Sequence, residues 1–327
     1  MKIAIAILNW NGLSLLKNHL KVVIEKSNNS SIYIIDNNST DDSIGFLREN
    51  YPQVQIIELK ENFGFAEGYN LGLKQIKEEI VCIMNNDIEV SDNWLEPIRE
   101  KFIEKPNSIV QPTIMDINNK EYFEYAGASG GFIDKFGYPY CRGRIFNTLE
   151  KNTNQYSDDK IFWASGACMF IPKKVFFDIG GFDSTFFAHM EEIDLCWRAF
   201  NHNIDCVSST KSIVYHVGAA TIKENSKKNY LNYRNSLIML TKNLPLKSLL
   251  YVLFIRIILD IVSFIRYIFI GRLDLSLSII RAHKSYYQNA NKILKARDNS
   301  LKRKVYYKIN SIVVKYFIFG KKKFFSL

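Results

Sequence analysis

The sequence predicts an α/β fold, a mostly parallel central sheet with helices on both faces. Three observations carry this. Short runs rich in Ile and Val alternate with segments of helical period through about the first 105 residues. Small polar residues collect after each of four successive runs. A chain of 327 residues with 47% hydrophobic and 14% aromatic content can bury a large core, with room for an appendage. Strands that alternate with crossover helices pair in parallel, and ligands then bind at the carboxyl ends of the strands.

The elements follow in order. Residues 3–8 read as a strand, an apolar run too short for a signal peptide and without a small-residue cleavage site. The N-terminal domain is therefore expected to stay in the cytoplasm. Residues 13–25 read as a helix, 31–35 as a strand, 41–49 as a helix and 54–59 as a strand. Residues 66–77 then read as a helix and 80–84 as a buried strand. Asn9 and Asn11 follow the first strand, Asp36 and Asn38 the second, Asn62 and Gly64 the third, and Asn85, Asn86 and Asp87 the fourth. Four polar strand ends in succession predict the wall of one site. Residues 107–185 read as less regular, with small residues beside aromatics at 126–131 and 162–170. Such residues allow either close backbone approach to a ligand or tight sheet packing.

The composition then shifts. Residues 201–327 carry 23 Lys and Arg against 5 Asp and Glu, a net of +18, while the remainder is at −8. A basic part of this kind is expected to meet an anionic surface. Residues 249–270 hold 16 Leu, Ile, Val and Phe but are interrupted by Arg256, Asp260 and Arg266. The apolar residues favour membrane insertion by roughly 5–10 kcal/mol and three central charges oppose it by about 7–10 kcal/mol. A helix lying in the interface with its Arg side chains snorkelling fits that balance better than a span. Residues 305–317 show helical apolar spacing between two Lys/Arg clusters, which suits an anionic leaflet or a helical subdomain packed on a neighbour. No nucleic-acid-binding motif accompanies the charge, so nucleic acid is not an expected partner. Homo-oligomerisation through the C-terminal helices stays open. The five cysteines form no CxxC and fit buried thiols in a reducing compartment.

Glu191, Glu192 and Asp194 put three carboxylates in four residues between apolar neighbours. On a helix Glu191 and Asp194 share a face and Asp194 reaches Arg198, which leaves Glu192 free for chemistry. A general base beside a bound cation explains the cluster, and so does an acidic helix start. Asn85-Asn86-Asp87 could likewise hold Mg²⁺ or Mn²⁺ through oxygen ligands, or close its strand with an Asx turn.

Together the motifs are specific. In order they are Leu8-Asn9-Trp10-Asn11-Gly12, Asp36-Asn37-Asn38-Ser39, Asn62-Phe63-Gly64-Phe65, Asn70, Asn85-Asn86-Asp87, Trp163-Ala164-Ser165-Gly166-Ala167, Gly180-Gly181-Phe182-Asp183 and Glu191 to Arg198. Over about residues 1–220 the chain resembles family 2 glycosyltransferases, inverting enzymes of the GT-A (nucleotide-diphospho-sugar transferase) fold, and within them the bacterial rhamnosyltransferase-like branch. The resemblance implies a catalytic domain over 1–221, with a donor half to about 105 and an acceptor-side half over 106–221. Residues 222–327 would be a basic, helical, membrane-associating region. It implies donor binding by Leu8, Asn9, Asn11, Asp36, Asn38, Asn62, Gly64, Phe65, Asn70, Asn85 and Asn86. The acceptor side would be Trp163, Ser165, Gly166 and Ala167. Glu192 stands where the family's base, usually Asp, stands, with Glu191 and Asp194 beside it as catalytic candidates. Asp87, Asn85 and His216 would hold Mg²⁺ or Mn²⁺, although Asn85 replaces the first Asp of the family's DxD motif.

The resemblance implies a metal-dependent inverting glycosyltransferase. It would move a sugar from a nucleotide-diphospho-sugar, dTDP-rhamnose first, to a hydroxyl of a lipid-linked glycan or other cell-envelope polysaccharide precursor. The enzyme would sit peripherally on the cytoplasmic face of the membrane. A nucleotidyltransferase and a catalytically weak sugar-nucleotide-binding module are the alternatives.

Overall fold

A computed structural model describes residues 1–218, 225–297 and 302–327. The expected boundary between 221 and 222 lies outside them. The first half runs β1 (Ile3–Asn9), α1 (Leu13–Lys26), β2 (Ser30–Asp36), α2 (Ser43–Asn50), β3 (Gln55–Glu58), α3 (Gly64–Gln75) and β4 (Ile80–Met84). Each lies close to its predicted position. β1 and β4 are buried on both faces, which is why they read as continuous apolar runs. The four strands pair in parallel in the order β3-β2-β1-β4, so their carboxyl ends share one edge.

The second half is more regular than predicted. It holds β5 (Ile88–Val90), α4 (Glu96–Glu104) and β6 (Ile109–Asp116), then β7 (Gly131–Ile133), β8 (Pro139–Cys141), β9 (Arg144–Ile145) and β10 (Thr148–Leu149). After these come β11 (Lys160–Ile161), β12 (Cys168–Pro172), α5 (Lys173–Asp178), α6 (Glu191–Asn201) and β13 (Cys206–His216). β12 inserts antiparallel between β4 and β6, while β13 pairs parallel with β6 and antiparallel with β5 and β11. The sheet is thus parallel on the β3-β2-β1-β4 side and mixed beyond it. β7 to β10 form a second, small antiparallel sheet. Strands of two or three residues among glycines leave too little periodicity to read. All five cysteines are free and buried.

The C-terminal region is built into this body. It comprises α7 (Ser226–Asn243), α8 (Leu246–Phe269), α9 (Leu273–Gln288) and α10 (Ala290–Lys295). The predicted helical stripe over 305–317 is a strap instead, wound only near its end at Val314–Ile318. The Tyr306 hydroxyl donates to the Lys135 carbonyl at 2.6 Å, and the Ile312 N–H to Asp134 Oδ2 at 2.9 Å. Tyr306 and Ile312 join the large buried core, so these residues of the stripe pack on the protein, while Val305 and Phe317 stay exposed.

Two of the charges that interrupt α8 pair with each other, as their i, i+4 spacing allows, but do not reach out to headgroups. Arg256 and Asp260 are 4% and 1% exposed and face inward. Arg256 Nε donates to Asp260 Oδ1 at 3.0 Å, its Nη2 donates to Ser236 Oγ on α7 at 2.9 Å, and its guanidinium lies 3.8 Å from the Tyr138 ring. Asp260 also accepts from the Tyr138 hydroxyl at 3.1 Å and faces His283 Nε2 of α9 at 3.0 Å. Snorkelling therefore does not describe Arg256. By length and composition α8 could cross a membrane, and most of its apolar surface is exposed.

Candidate active site

The parallel strands bring the first polar ends together. Asn9, fully buried at the end of β1, donates to Asp36 Oδ1 and Ser39 Oγ, each at 3.2 Å, and accepts from Asn86 at 3.1 Å. Asp36 also accepts the Ser39 N–H at 2.9 Å. Asn11 accepts the Thr40 N–H at 2.7 Å, while Asn38 is exposed with φ at 61°. Leu8 donates its N–H to the buried Tyr69 hydroxyl at 3.3 Å. Asn37, absent from the predicted site, is the hub of the next loop. It donates to Asn62 Oδ1 at 3.1 Å and the Gly64 carbonyl at 2.9 Å. Asn70 is placed differently from expectation. Its amide clamps the Phe182 backbone, donating at 2.8 Å and accepting at 2.9 Å, so it holds the scaffold.

Pairing of β5 with β13 sets Asp87 beside His216. His216 Nε2 lies 3.1 Å from Asp87 Oδ1 and 3.4 Å from Asn85 Nδ2. Its Nδ1 lies 3.3 Å from Glu124 Oε2, and Glu124 is 1% exposed. Sequence reasoning missed Glu124, which sits in an irregular segment with no motif around it. Burial opposes charge on His216, but the two carboxylates outweigh it and push its pKa up to about 10. Burial would raise the Asp87 pKa, yet His216 holds it below the ordinary value. Glu124 at Nδ1 is the kind of partner that orients an imidazole whose other nitrogen binds a metal, and that other nitrogen here faces Asp87. Asp87 Oδ1 is buried and faces His216 Nε2, so a cation would bind there by taking the place of that ion pair. Among the described residues no three His, Cys, Asp or Glu side chains form a complete cage, so substrate oxygens and water would have to fill the remaining positions.

The carboxylate cluster opens α6. Asp194, fully buried, accepts from Arg198 Nε at 2.8 Å and from Asn243 Nδ2 of α7 at 2.6 Å. Both of its oxygens hold the helix in place, so Asp194 positions α6 rather than taking the catalytic part expected of it. Glu191 is 4% exposed, and burial, with Glu192 and Asp194 nearby, raises its pKa well above the ordinary value. Glu192 is half-buried, and burial pushes its pKa up to about 7. Its Oε2 has no hydrogen-bond partner.

Gly166 lies against Glu192, since a Cβ built on it would sit 3.7 Å from the Glu192 Cβ and 3.3 Å from the Phe65 ring. The next residue, Ala167, accepts the Asn85 N–H at 3.0 Å. Glu192 and Asn85 thereby meet the same loop at adjacent residues. Trp163 and Ser165 serve that loop from behind. The Trp163 indole donates to the Phe132 carbonyl at 2.9 Å and covers Gly131, while the Ser165 N–H donates to Gln111 at 2.9 Å.

The loop before α6 is strained. Phe187, His189 and Met190 have φ of 62°, 69° and 73°, uncommon for side chains of that bulk. The Phe187 carbonyl accepts the Phe65 N–H at 2.9 Å, and its ring covers Gly64, which leaves no room for a Cβ there. Asn235 of α7, fully buried, pins the loop. Its amide donates to the carbonyls of Phe186, Ala188 and His189 at 3.1, 2.9 and 2.7 Å. Asn235→Ala should lower stability by about 1–3 kcal/mol through the unsatisfied carbonyls. It should also lower turnover more than nucleotide affinity. Denaturation and steady-state kinetics check this, and unchanged values in both would refute the clamp.

Comparisons with known proteins give the family and the fold. The profile of glycosyl transferase family 2 matches residues 4–180. A low-salt glycan biosynthesis hexosyltransferase, Agl10, of Haloferax volcanii is 27% identical over 214 residues, covering 62% of this chain and 64% of that protein. An N-acetylglucosaminyl-diphospho-decaprenol L-rhamnosyltransferase of Mycobacterium tuberculosis is 23% identical over 181 residues, covering 50% and 59%. The chain thus spans somewhat less than two thirds of these relatives. The crystal structure of GalNAc-T7 with UDP, GalNAc and Mn²⁺ superposes with a TM-score of 0.60 at 15% identity, over 74% of this chain and 48% of that one. That likeness shows the GT-A fold. With the family profile covering more than half of its length, the chain belongs to glycosyl transferase family 2.

Proposed function

We propose that this protein is a membrane-docked, metal-dependent inverting glycosyltransferase. Its donor would be a nucleoside-diphospho-sugar, dTDP-rhamnose first, and its acceptor a hydroxyl of a lipid-linked glycan. One observation carries the reading. Glu192, with its raised pKa and unpartnered oxygen, packs on Gly166, while Asn85, two residues before Asp87, bonds to the adjacent Ala167. Asn9, Asp36 and Asn38 lie where the nucleoside would bind, at the strand ends. Glu192 accepts the proton of the acceptor hydroxyl as that oxygen attacks the anomeric carbon. The bond from that carbon to the diphosphate breaks, and the nucleoside diphosphate leaves with inversion. Mg²⁺ or Mn²⁺ held by Asp87 and His216, with Asn85 beside them, would supply charge neutralisation for the leaving diphosphate. A hydrolysis screen of nucleotide sugars with each cation tests the donor. Turnover of none of them would refute the activity.

The base form of Glu192 is the deprotonated one. With a pKa raised to about 7, its reactive fraction grows as pH rises through 7. The kcat/KM profile should therefore climb across that pH, well above the range of an ordinary carboxylate. A profile flat from about pH 5.5 to 8.5 would contradict the assignment.

Membrane docking is supported by the outer face of α8. Leu250, Phe254, Ile258, Ile261, Ile265 and Phe269 form one exposed helical stripe. The acceptor of the mycobacterial relative is named as a diphospho-decaprenol, a lipid of the kind such a face would meet. Because α8 packs inward through Arg256 and Asp260, it would lie on the bilayer, toward the cytoplasm, rather than cross it. Liposome sedimentation should show binding that weakens in high salt and is lost in detergent. Leu250→Ser, Phe254→Ser and Ile261→Ser together should abolish it and spare donor hydrolysis. These changes are a cleaner probe than truncation near residue 244, which would also remove the Tyr306–Ile312 strap from the core. An intact chain that binds neither neutral nor anionic vesicles would exclude docking.

A further inference from the structure

A cleft of about 270 Å³ lies between α7 and α9, lined by Ser226, Lys227, Tyr230, Ser278 and Arg281. Its lining holds two cations, three hydroxyls and no carboxylate. Among the described residues, neither Lys227 nor Arg281 has an ion-pair partner. Two such cations beside the Ser226 hydroxyl are the chemistry that binds phosphate oxygens, while the Ser278 hydroxyl donates to the Leu275 carbonyl at 2.7 Å and belongs to the wall. The cleft has a fixed floor. Ser278 is 1% exposed and accepts from the buried Asn229 of α7 at 2.8 Å.

Two further observations say which phosphate would fit. Arg281 stands at the border of an apolar strip on α9, with Leu277 and Ile280 50% and 51% exposed beside it. That is where a cation meets a lipid headgroup while its neighbours meet acyl or isoprenoid chain. At the other end, Lys227 Nζ lies 5.6 Å from the Phe187 ring, in the loop that leads into Glu192. The donor diphosphate belongs at the separate Asp87–His216 end.

We propose that this cleft binds the phosphate of an isoprenoid-linked acceptor, seating its headgroup at the border of the apolar face so that the attached sugar reaches Glu192. The inference rests on the lipid-linked acceptor reading above.

The test uses the full-length protein in detergent micelles, with farnesyl phosphate, farnesol and inorganic phosphate as probes for calorimetry. The parent is expected to bind farnesyl phosphate, with farnesol and inorganic phosphate each at least about tenfold weaker. The Lys227→Ala/Arg281→Ala variant is expected to lose about tenfold or more, from the loss of charged hydrogen bonds. Both side chains are exposed, so the variant should fold, and donor hydrolysis should match the parent. Arg281→Lys should restore part of the affinity. Farnesyl phosphate binding unchanged in the double variant overturns the proposal. Inorganic phosphate bound as tightly as farnesyl phosphate overturns its lipid part, and farnesol bound as tightly overturns its phosphate part. Lost donor hydrolysis in the variant would move these residues to the donor site and overturn it too. Failure of the parent to transfer any sugar would sink the transferase reading, yet it would leave the binding result standing on its own.

Discussion

Glu192→Gln is expected to cut sugar transfer by about 10²–10⁴-fold, the usual worth of a positioned base, while nucleotide binding stays near that of the parent. The amide keeps the size of the carboxyl group but accepts no proton. Donor affinity should survive because Glu192 makes no hydrogen bond to the strand-end network around Asn9 and Asp36. On the side expected to take the acceptor, Glu192 packs against Gly166. Turnover assays beside nucleoside diphosphate titrations separate the two effects. Near-parental turnover would remove Glu192 from the role, and Glu191 is a poor substitute because burial raises its pKa still further from that of an ordinary carboxylate.

Asp260→Ala should destabilise the protein by about 3–5 kcal/mol, the cost of leaving one partner of a buried ion pair uncompensated. Asp260 accepts from Arg256 and Tyr138 and faces His283, so its loss strands a buried guanidinium and detaches α8 from the β7–β8 turn and from α9. Replacing both partners, Arg256→Met with Asp260→Leu, should recover much of that loss, since apolar residues of similar volume often match a buried pair. Denaturant unfolding measures both variants. A single-variant loss under about 1 kcal/mol would show that the pair is dispensable.

The donor half was legible because β1 and β4 are buried on both faces and each of the four strands is followed or ended by Asn or Asp within a few residues. Residues 3–8 and 80–84 could be read as strands from their apolar runs alone. β7 to β11 were not legible, because strands of two or three residues among Gly and aromatics carry no period. The inward face of α8 was misread for a different reason. Sequence arithmetic counts Arg256 and Asp260 as charges but does not say which way they point, and their partners Tyr138 and His283 are distant in the chain. The apolar stripe over 305–317 has the right spacing for a helix, yet it is matched by the surface of β7 to β10. In the site, Asp87 and His216 come together as the motif spacing implied. Glu124 and Asn235 escaped notice because each acts through a long-range contact that leaves no local pattern. Asn70 and Trp163 carried motif signals but face the scaffold.

The stereochemistry of the transferred sugar tests the central claim most directly. Proton NMR of the donor and of the product reads the anomeric configuration of each. A single displacement assisted by Glu192 predicts a product of the opposite anomeric configuration to the donor and no covalent enzyme intermediate. A product that keeps the donor's configuration, or a glycosyl-enzyme trapped on this chain, would contradict it.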